Sequence, residues 1–159
     1  MSTEIKLKIG DKAPDLGIKN NEDIIVNLSD YSGKWVVLYF YPKDNTPGCT
    51  IEATEFTQKV DKFSDLNAVI MGVSPDSIKN HCNFIKKQSL KIMLLSDPEH
   101  KVLEAYEVWQ KKQTYGKEFL GVIRTTYLIN PDGKIANIWP DVKVNGHVDE
   151  VFEKLKELQ

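Results

Sequence analysis

Seven consecutive residues, Trp35-Val36-Val37-Leu38-Tyr39-Phe40-Tyr41, are apolar, β-branched or aromatic, and none is charged. A strand with one wet face alternates polar and apolar positions; an unbroken run belongs to a strand covered on both faces. A chain built around such a strand needs layers on both sides of a sheet. Ala68-Val69-Ile70-Met71-Gly72-Val73 is a second run of this kind, and Ile92-Met93-Leu94-Leu95 a shorter third.

Helical patterns separate the runs. Cys49, Ala53, Phe56, Val60 and Phe63 recur at intervals of four and three and predict one helix opening at a cysteine. Ser74-Pro75-Asp76 predicts a second helix start, with Ser74 as cap and Ile78, Cys82 and Ile85 as the buried stripe. Asp97-Pro98-Glu99 precedes a third helix carrying Val102, Leu103 and Tyr106. Thr125–Ile129, the turn Asn130-Pro131-Asp132-Gly133 and Lys134–Trp139 read as an antiparallel hairpin. A last helix runs from about Val148 to Leu158 and buries Val148, Val151, Phe152 and Leu155. This order predicts an α/β sandwich with parallel strands first and an antiparallel edge last. The length, 159 residues without repeat or linker, predicts a single domain over residues 1–159.

Composition narrows the function. The formal net charge is -2, and Lys and Arg are scattered, so no footprint for nucleic acid is present. No apolar run approaches the roughly 20 residues of a membrane span, and the amino terminus lacks the apolar core of a secretory signal. The expected compartment is the cytoplasm, where thiols stay reduced. Two cysteines, Cys49 and Cys82, make neither a disulfide framework nor a four-thiolate metal site, and no C-x-x-C pair exists.

Cys49 lies in Pro42-Lys43-Asp44-Asn45-Thr46-Pro47-Gly48-Cys49-Thr50, between a core strand and a helix. A right-handed crossover places such a loop at the carboxyl edge of the sheet, where open α/β folds keep their sites. A sulfur at a helix start faces free backbone N–H groups and the positive end of the dipole, which favour the reactive thiolate. Thr46 can offer a hydroxyl beside it, and Pro42 and Pro47 stiffen the loop. The other reading of Cys49 is a buried packing residue heading an amphipathic helix.

Residues Tyr39 to Thr50 resemble the active-site loop of peroxiredoxins, most closely the bacterioferritin-comigratory protein, or PrxQ, branch. The likeness continues in Gly10-Asp11-Lys12-Ala13-Pro14-Asp15, Gly72–Ser77, Tyr115-Gly116-Lys117, Gly121–Thr126 and Val142–His147. It implies a thioredoxin-like fold, with a central mixed β-sheet flanked by helices, and a thiol-dependent peroxidase acting on hydrogen peroxide and organic hydroperoxides. Cys49 would be the peroxidatic cysteine and pass through a sulfenic acid. Thr46 would hydrogen-bond thiolate and peroxide, Arg124 would stabilise charge on the thiolate and the leaving oxygen, and Pro42 would shield the sulfur. The backbone N–H groups of Gly48 and Cys49 would complete the oxygen-binding track. The resemblance implies no metal and no cofactor, a reductant such as thioredoxin or a similar dithiol, and a monomer or weak homodimer.

The sequence departs from the branch at one telling position. Many members carry a resolving cysteine five residues after the peroxidatic one, and Thr54 stands there. Cys82 is then either the resolving thiol or a core residue in a one-cysteine enzyme or a peroxide-reactive sensor without turnover. A protein disulfide reductase would need a vicinal dithiol. His81, His100 and His147 match no zinc spacing and are expected to be exposed. Lys86-Lys87 and Lys111-Lys112 read as solvated faces. Trp109, Tyr115 and Phe119 are either a partner surface or loop and core packing.

Overall fold

A computed structural model describes residues 5–159. The three apolar runs form β3 (Trp35–Phe40), β4 (Ala68–Ser74) and β5 (Met93–Ser96), paired in parallel at the centre of a seven-stranded sheet. The predicted hairpin, β8 (Thr125–Ile129) and β9 (Ile135–Trp139), adds two antiparallel strands on the β3 side. The Asn130 side chain accepts from the amides of Asp132 and Lys134, both at 3.0 Å, and so shapes the turn between them. On the opposite side, β1 (Ile18–Asn20) pairs antiparallel with β5, and β2 (Ile25–Val26) closes that edge. The order is β2-β1-β5-β4-β3-β8-β9. This is the thioredoxin-like arrangement, a mixed sheet with helices on both faces.

Successive residues of β3 point to opposite faces and enter two separate cores. Val36, Leu38 and Phe40 pack with Met71, Val73, Leu103, Tyr106 and Tyr127. Val37, Tyr39 and Tyr41 pack with Cys49, Ala53, Phe56, Phe84, Leu128 and Val151. The second core lies under α1 (Pro47–Gln58), α2 (Val60–Asp65), α3 (Ile78–Gln88) and α5 (His147–Glu157). The first is covered by α4 (Lys101–Ala105) and its neighbours. One glycine fixes how β3 meets α1. Gly72 lies opposite Tyr39, and a Cβ there would stand 2.7 Å from the tyrosine ring. Only glycine leaves room for Tyr39 to lie over β4, where it stacks on Phe56 of α1 with centroids 4.8 Å apart.

Three expectations about the helices need correction. The stripe from Cys49 to Phe63 spans two helices, broken at Lys59, whose amide turns back to the carbonyl of Phe56. The cap of α3 is Ser77, whose hydroxyl accepts from the Asn80 amide at 3.1 Å; Ser74 still belongs to β4. The buried positions of α3 are His81 and Phe84, and Cys82 is exposed. The face turns because His81 finds partners for both ring nitrogens inside, and its side chain takes the place expected of Cys82.

Candidate active site

Helix α1 begins immediately after the loop that leaves β3, with Thr46 as cap, Pro47 at the first helical position and Cys49 in the first turn. The Thr50 amide makes the bond to the Thr46 carbonyl at 2.9 Å, which leaves the amides of Gly48 and Cys49 ahead of the helical ladder. These N–H groups and the positive end of the helix dipole belong to the same turn as Cys49. Cys49 is 1% exposed and packs within the second core.

Arg124, at the entry to β8, reaches across to this turn. Its Nη2 donates to Cys49 Sγ at 3.3 Å, and its Nη1 donates to Glu52 Oε1 at 2.6 Å. One guanidinium therefore holds a thiol and a carboxyl group from successive turns of α1. Burial works against the charge of Arg124, but Glu52 and Cys49 outweigh it and hold the guanidinium above its ordinary range. Gly48 makes this approach achievable, since a Cβ there would lie 3.1 Å from Nη2. The backbone of Arg124 is fixed from behind by the Val142 amide, which donates to its carbonyl at 2.7 Å.

Glu52 was not visible as a site residue from sequence. It is fully buried, its second carboxylate oxygen has no hydrogen-bond partner, and burial pushes its pKa up to about 7 against the pull of Arg124. Its signal was an acid three residues after Cys49, on the apolar face of the helix. The site also gains Lys112, expected on a solvated face. It is half-buried on β6 (Trp109–Thr114), which pairs with β7 (Lys117–Val122) in a separate hairpin. Its Nζ donates to the Val122 carbonyl at 3.0 Å, its stem lying across Gly121. Burial pushes Lys112 below the usual lysine range, with the charge of Arg124 adding to that and Cys49 pulling it back up.

The Thr46 hydroxyl donates to the Lys43 carbonyl at 2.8 Å, so its hydrogen is spent on the loop and its oxygen is left to accept. Pro42, the residue after Tyr41, is half-buried. Thr54 bonds within α1, its hydroxyl donating to the Thr50 carbonyl at 2.8 Å. Cys82 donates to the Asn21 carbonyl at 3.2 Å.

Two of the three histidines are buried, contrary to expectation, because each has polar partners. His81 bonds Asp44 at 2.7 Å and the Leu95 carbonyl at 2.8 Å. His147 bonds the Thr126 hydroxyl at 2.8 Å, and burial, with the charge of Arg124 behind it, pushes its pKa down to about 4. His100 is half-buried and stacks on Trp109 at 3.9 Å. Tyr115 and Phe119, by contrast, are exposed on the β6–β7 hairpin and belong to no core.

The chain that carries this site is similar along most of its length to known proteins. Residues 9–138 match the AhpC/TSA family. The chain is 49% identical to peroxiredoxin Bcp of Bacillus subtilis over 152 residues, covering 96% of this chain and 97% of that one. It is 38% identical to peroxiredoxin Bcp of Escherichia coli K12, covering 95% and 97%. The chain belongs to the Bcp/PrxQ peroxiredoxins. Among solved structures, a cysteine-to-serine variant of Xylella fastidiosa PrxQ superposes with a TM-score of 0.89 at 39% identity, covering 97% and 98% of the two chains. The bacterioferritin comigratory protein of Xanthomonas campestris, trapped in intermediate and ligand complexes of alkyl peroxide reduction, gives 0.86 at 37%, covering 97% and 98%. This peroxiredoxin is accordingly a thiol-dependent peroxidase, with a peroxide as substrate and a reductant to close its cycle. Among the described residues, no helix of the peroxiredoxin is long and apolar enough to cross a membrane.

Proposed function

We propose that Cys49 is the peroxidatic cysteine, and the observation that carries this is Arg124 Nη2 at 3.3 Å from its buried sulfur. The thiolate attacks one peroxide oxygen, the O–O bond breaks, and the second oxygen leaves as water or alcohol after taking up a proton. Cys49 is left as a sulfenic acid. Arg124 and the amides of Gly48 and Cys49 are preorganised donors for charge passing from sulfur to the leaving oxygen. Thr46 accepts the peroxide's own hydrogen through its free lone pairs, and Pro42 limits water at the sulfur. Hydrogen peroxide and organic hydroperoxides both meet these requirements.

Cys82 is the resolving thiol in this reading. Its exposure argues against a packing role and leaves the resulting disulfide open to an external dithiol. Cys49 is buried, so the amino end of α1 must unwind before the two sulfurs can meet. The Cys82 thiol then attacks the sulfenic sulfur, water leaves, and thioredoxin or a similar dithiol reduces the disulfide. The protein acts as a monomer or weak homodimer in the cytoplasm, where such reductants keep thiols reduced.

After one equivalent of hydrogen peroxide, intact mass should fall by two hydrogens with no alkylatable thiol remaining. One remaining thiol, together with a trappable sulfenic acid, would establish one-cysteine chemistry instead.

A further inference from the structure

The mechanism above makes no use of a buried polar cluster built around Asp44 of the Cys49 loop. Asp44, five residues before Cys49 in the chain, is 6% exposed, and both its carboxylate oxygens are engaged. Oδ1 accepts from the Tyr41 hydroxyl at 2.6 Å, and Oδ2 lies 2.7 Å from Nδ1 of the fully buried His81. The Asp44 amide donates to Asp76 Oδ2 at 2.8 Å, and the same oxygen accepts from Ser74 at 2.7 Å. His81 Nε2 faces the Leu95 carbonyl, which can only accept, so that nitrogen carries a hydrogen. One further proton then lies between Nδ1 and Oδ2, and the pair is net neutral whichever atom holds it.

The loop residue Asp44 thus joins the segment after β4 through Asp76 and α3 through His81, and His81 in turn bonds β5 at the Leu95 carbonyl. The pair satisfies itself only when closed. Separation inside the protein would strand a buried carboxylate and a buried ring nitrogen, which is far costlier than keeping the bond. The loop therefore leaves as a unit, with Asp44 passing into water, or stays. His81 is also the residue before Cys82, so the same contact ties the loop to the helix that carries the second thiol.

We propose that the Asp44–His81 pair is a latch that holds the Cys49 loop against α3, and that its opening sets the rate at which oxidised Cys49 reaches Cys82. The proposal rests on the disulfide assigned above. Asp44 and His81 are positioning residues; neither touches the sulfur or the peroxide. A firm latch lengthens the life of the sulfenic acid, and with it the chance that a second peroxide drives Cys49 to sulfinic acid. A firm latch therefore lowers both the speed of disulfide closure and the resistance to over-oxidation.

Rapid mixing with hydrogen peroxide, followed by acid quench and mass analysis, separates sulfenic acid formation from disulfide closure. In H81A and D44A, closure should accelerate by at least about tenfold, while sulfenic acid formation stays within about twofold of wild type. The peroxide concentration that gives half sulfinic acid should rise in step. D44N is the conservative control. Its amide can donate to Nδ1 of a neutral His81 and still accept from Tyr41, so its closure rate should lie nearer wild type than that of D44A. Closure within about twofold of wild type in both alanine variants would overturn the latch.

Hydrogen exchange at residues 44–52 in a C82S background reads loop opening without any disulfide. Faster exchange in H81A/C82S than in C82S supports the latch even if wild type forms no Cys49–Cys82 bond, in which case the disulfide reading alone fails. Equal exchange in the two proteins rejects the latch whatever Cys82 does. Should H81A not fold, D44A/C82S against C82S carries the same comparison.

Discussion

Arg124 does with one planar group what two separate cations would otherwise have to do. Its two terminal nitrogens meet Cys49 and Glu52, one turn apart on α1, and the fork geometry fixes their relative position. Lysine keeps the charge and loses the fork. Arg124→Lys should lower the second-order rate with hydrogen peroxide by about a hundredfold, the scale of losing one preorganised donor. Stopped-flow kinetics within about threefold of wild type would remove Arg124 from the reaction. At this scale the sequence was legible in part. Cys49 announced itself by its place after a core strand and before a helix. Glu52, His81 and His147 did not, since a lone polar residue reads as exposed until its partners are known. Those partners, Arg124, Asp44, the Leu95 carbonyl and Thr126, come from distant parts of the chain, and only the fold brings them near.

At the scale of elements, the β6–β7 hairpin is the part that periodicity missed. Gln110, Lys111, Lys112 and Gln113 face Gly121, Leu120, Phe119 and Glu118 across it, and neither strand alternates polar with apolar. The expected strands were those with covered faces, because burial imposes the pattern; this hairpin stands outside the main sheet with little to impose one. It nevertheless delivers Lys112 to the neighbourhood of Arg124. A Cβ at Gly121 would stand 2.8 Å from the Lys112 stem, so a side chain there displaces the lysine. Gly121→Val and Lys112→Met should each slow the reaction with peroxide by roughly twofold to fivefold, the scale of one partly screened cation. Rates unchanged in both variants, measured at low salt, would make Lys112 a bystander. The β1 and β2 strands, three and two residues long, are too short for any period to show.

For the whole molecule, two buried groups set opposite pH dependences on stability. Glu52 keeps its proton in the folded state up to about pH 7, whereas its ordinary value is near 4.5. Its contribution is complete below about pH 4.5 and is lost as pH rises to about 7. His147 stays neutral in the fold down to about pH 4 from an ordinary value of 6.5. Its contribution is complete above about pH 6.5 and is lost as pH falls to about 4. Each amounts to about 3 kcal/mol, and over the shared window they cancel. Urea unfolding of wild type should give a nearly level stability between pH 4.5 and 6.5. Glu52→Gln should become more stable as pH rises through that range, and His147→Gln less stable; level profiles in both variants would refute the assignment. The central sheet itself was legible, because its three parallel strands are the three apolar runs and their crossovers have one permitted hand.

The Cys49 sulfur, proposed above to react with peroxide, also belongs to a packed core, beside Ala53, Phe56 and Phe84. If Cys49 leaves this core in every cycle, as the proposed disulfide requires, the protein cannot be hardened here without cost. Substitutions that raise the melting temperature by tightening this face will hold Cys49 in place and lengthen each turnover, whereas those that stiffen the opposite face will not. Heat tolerance and peroxide throughput are thus set against each other on one side of the sheet only.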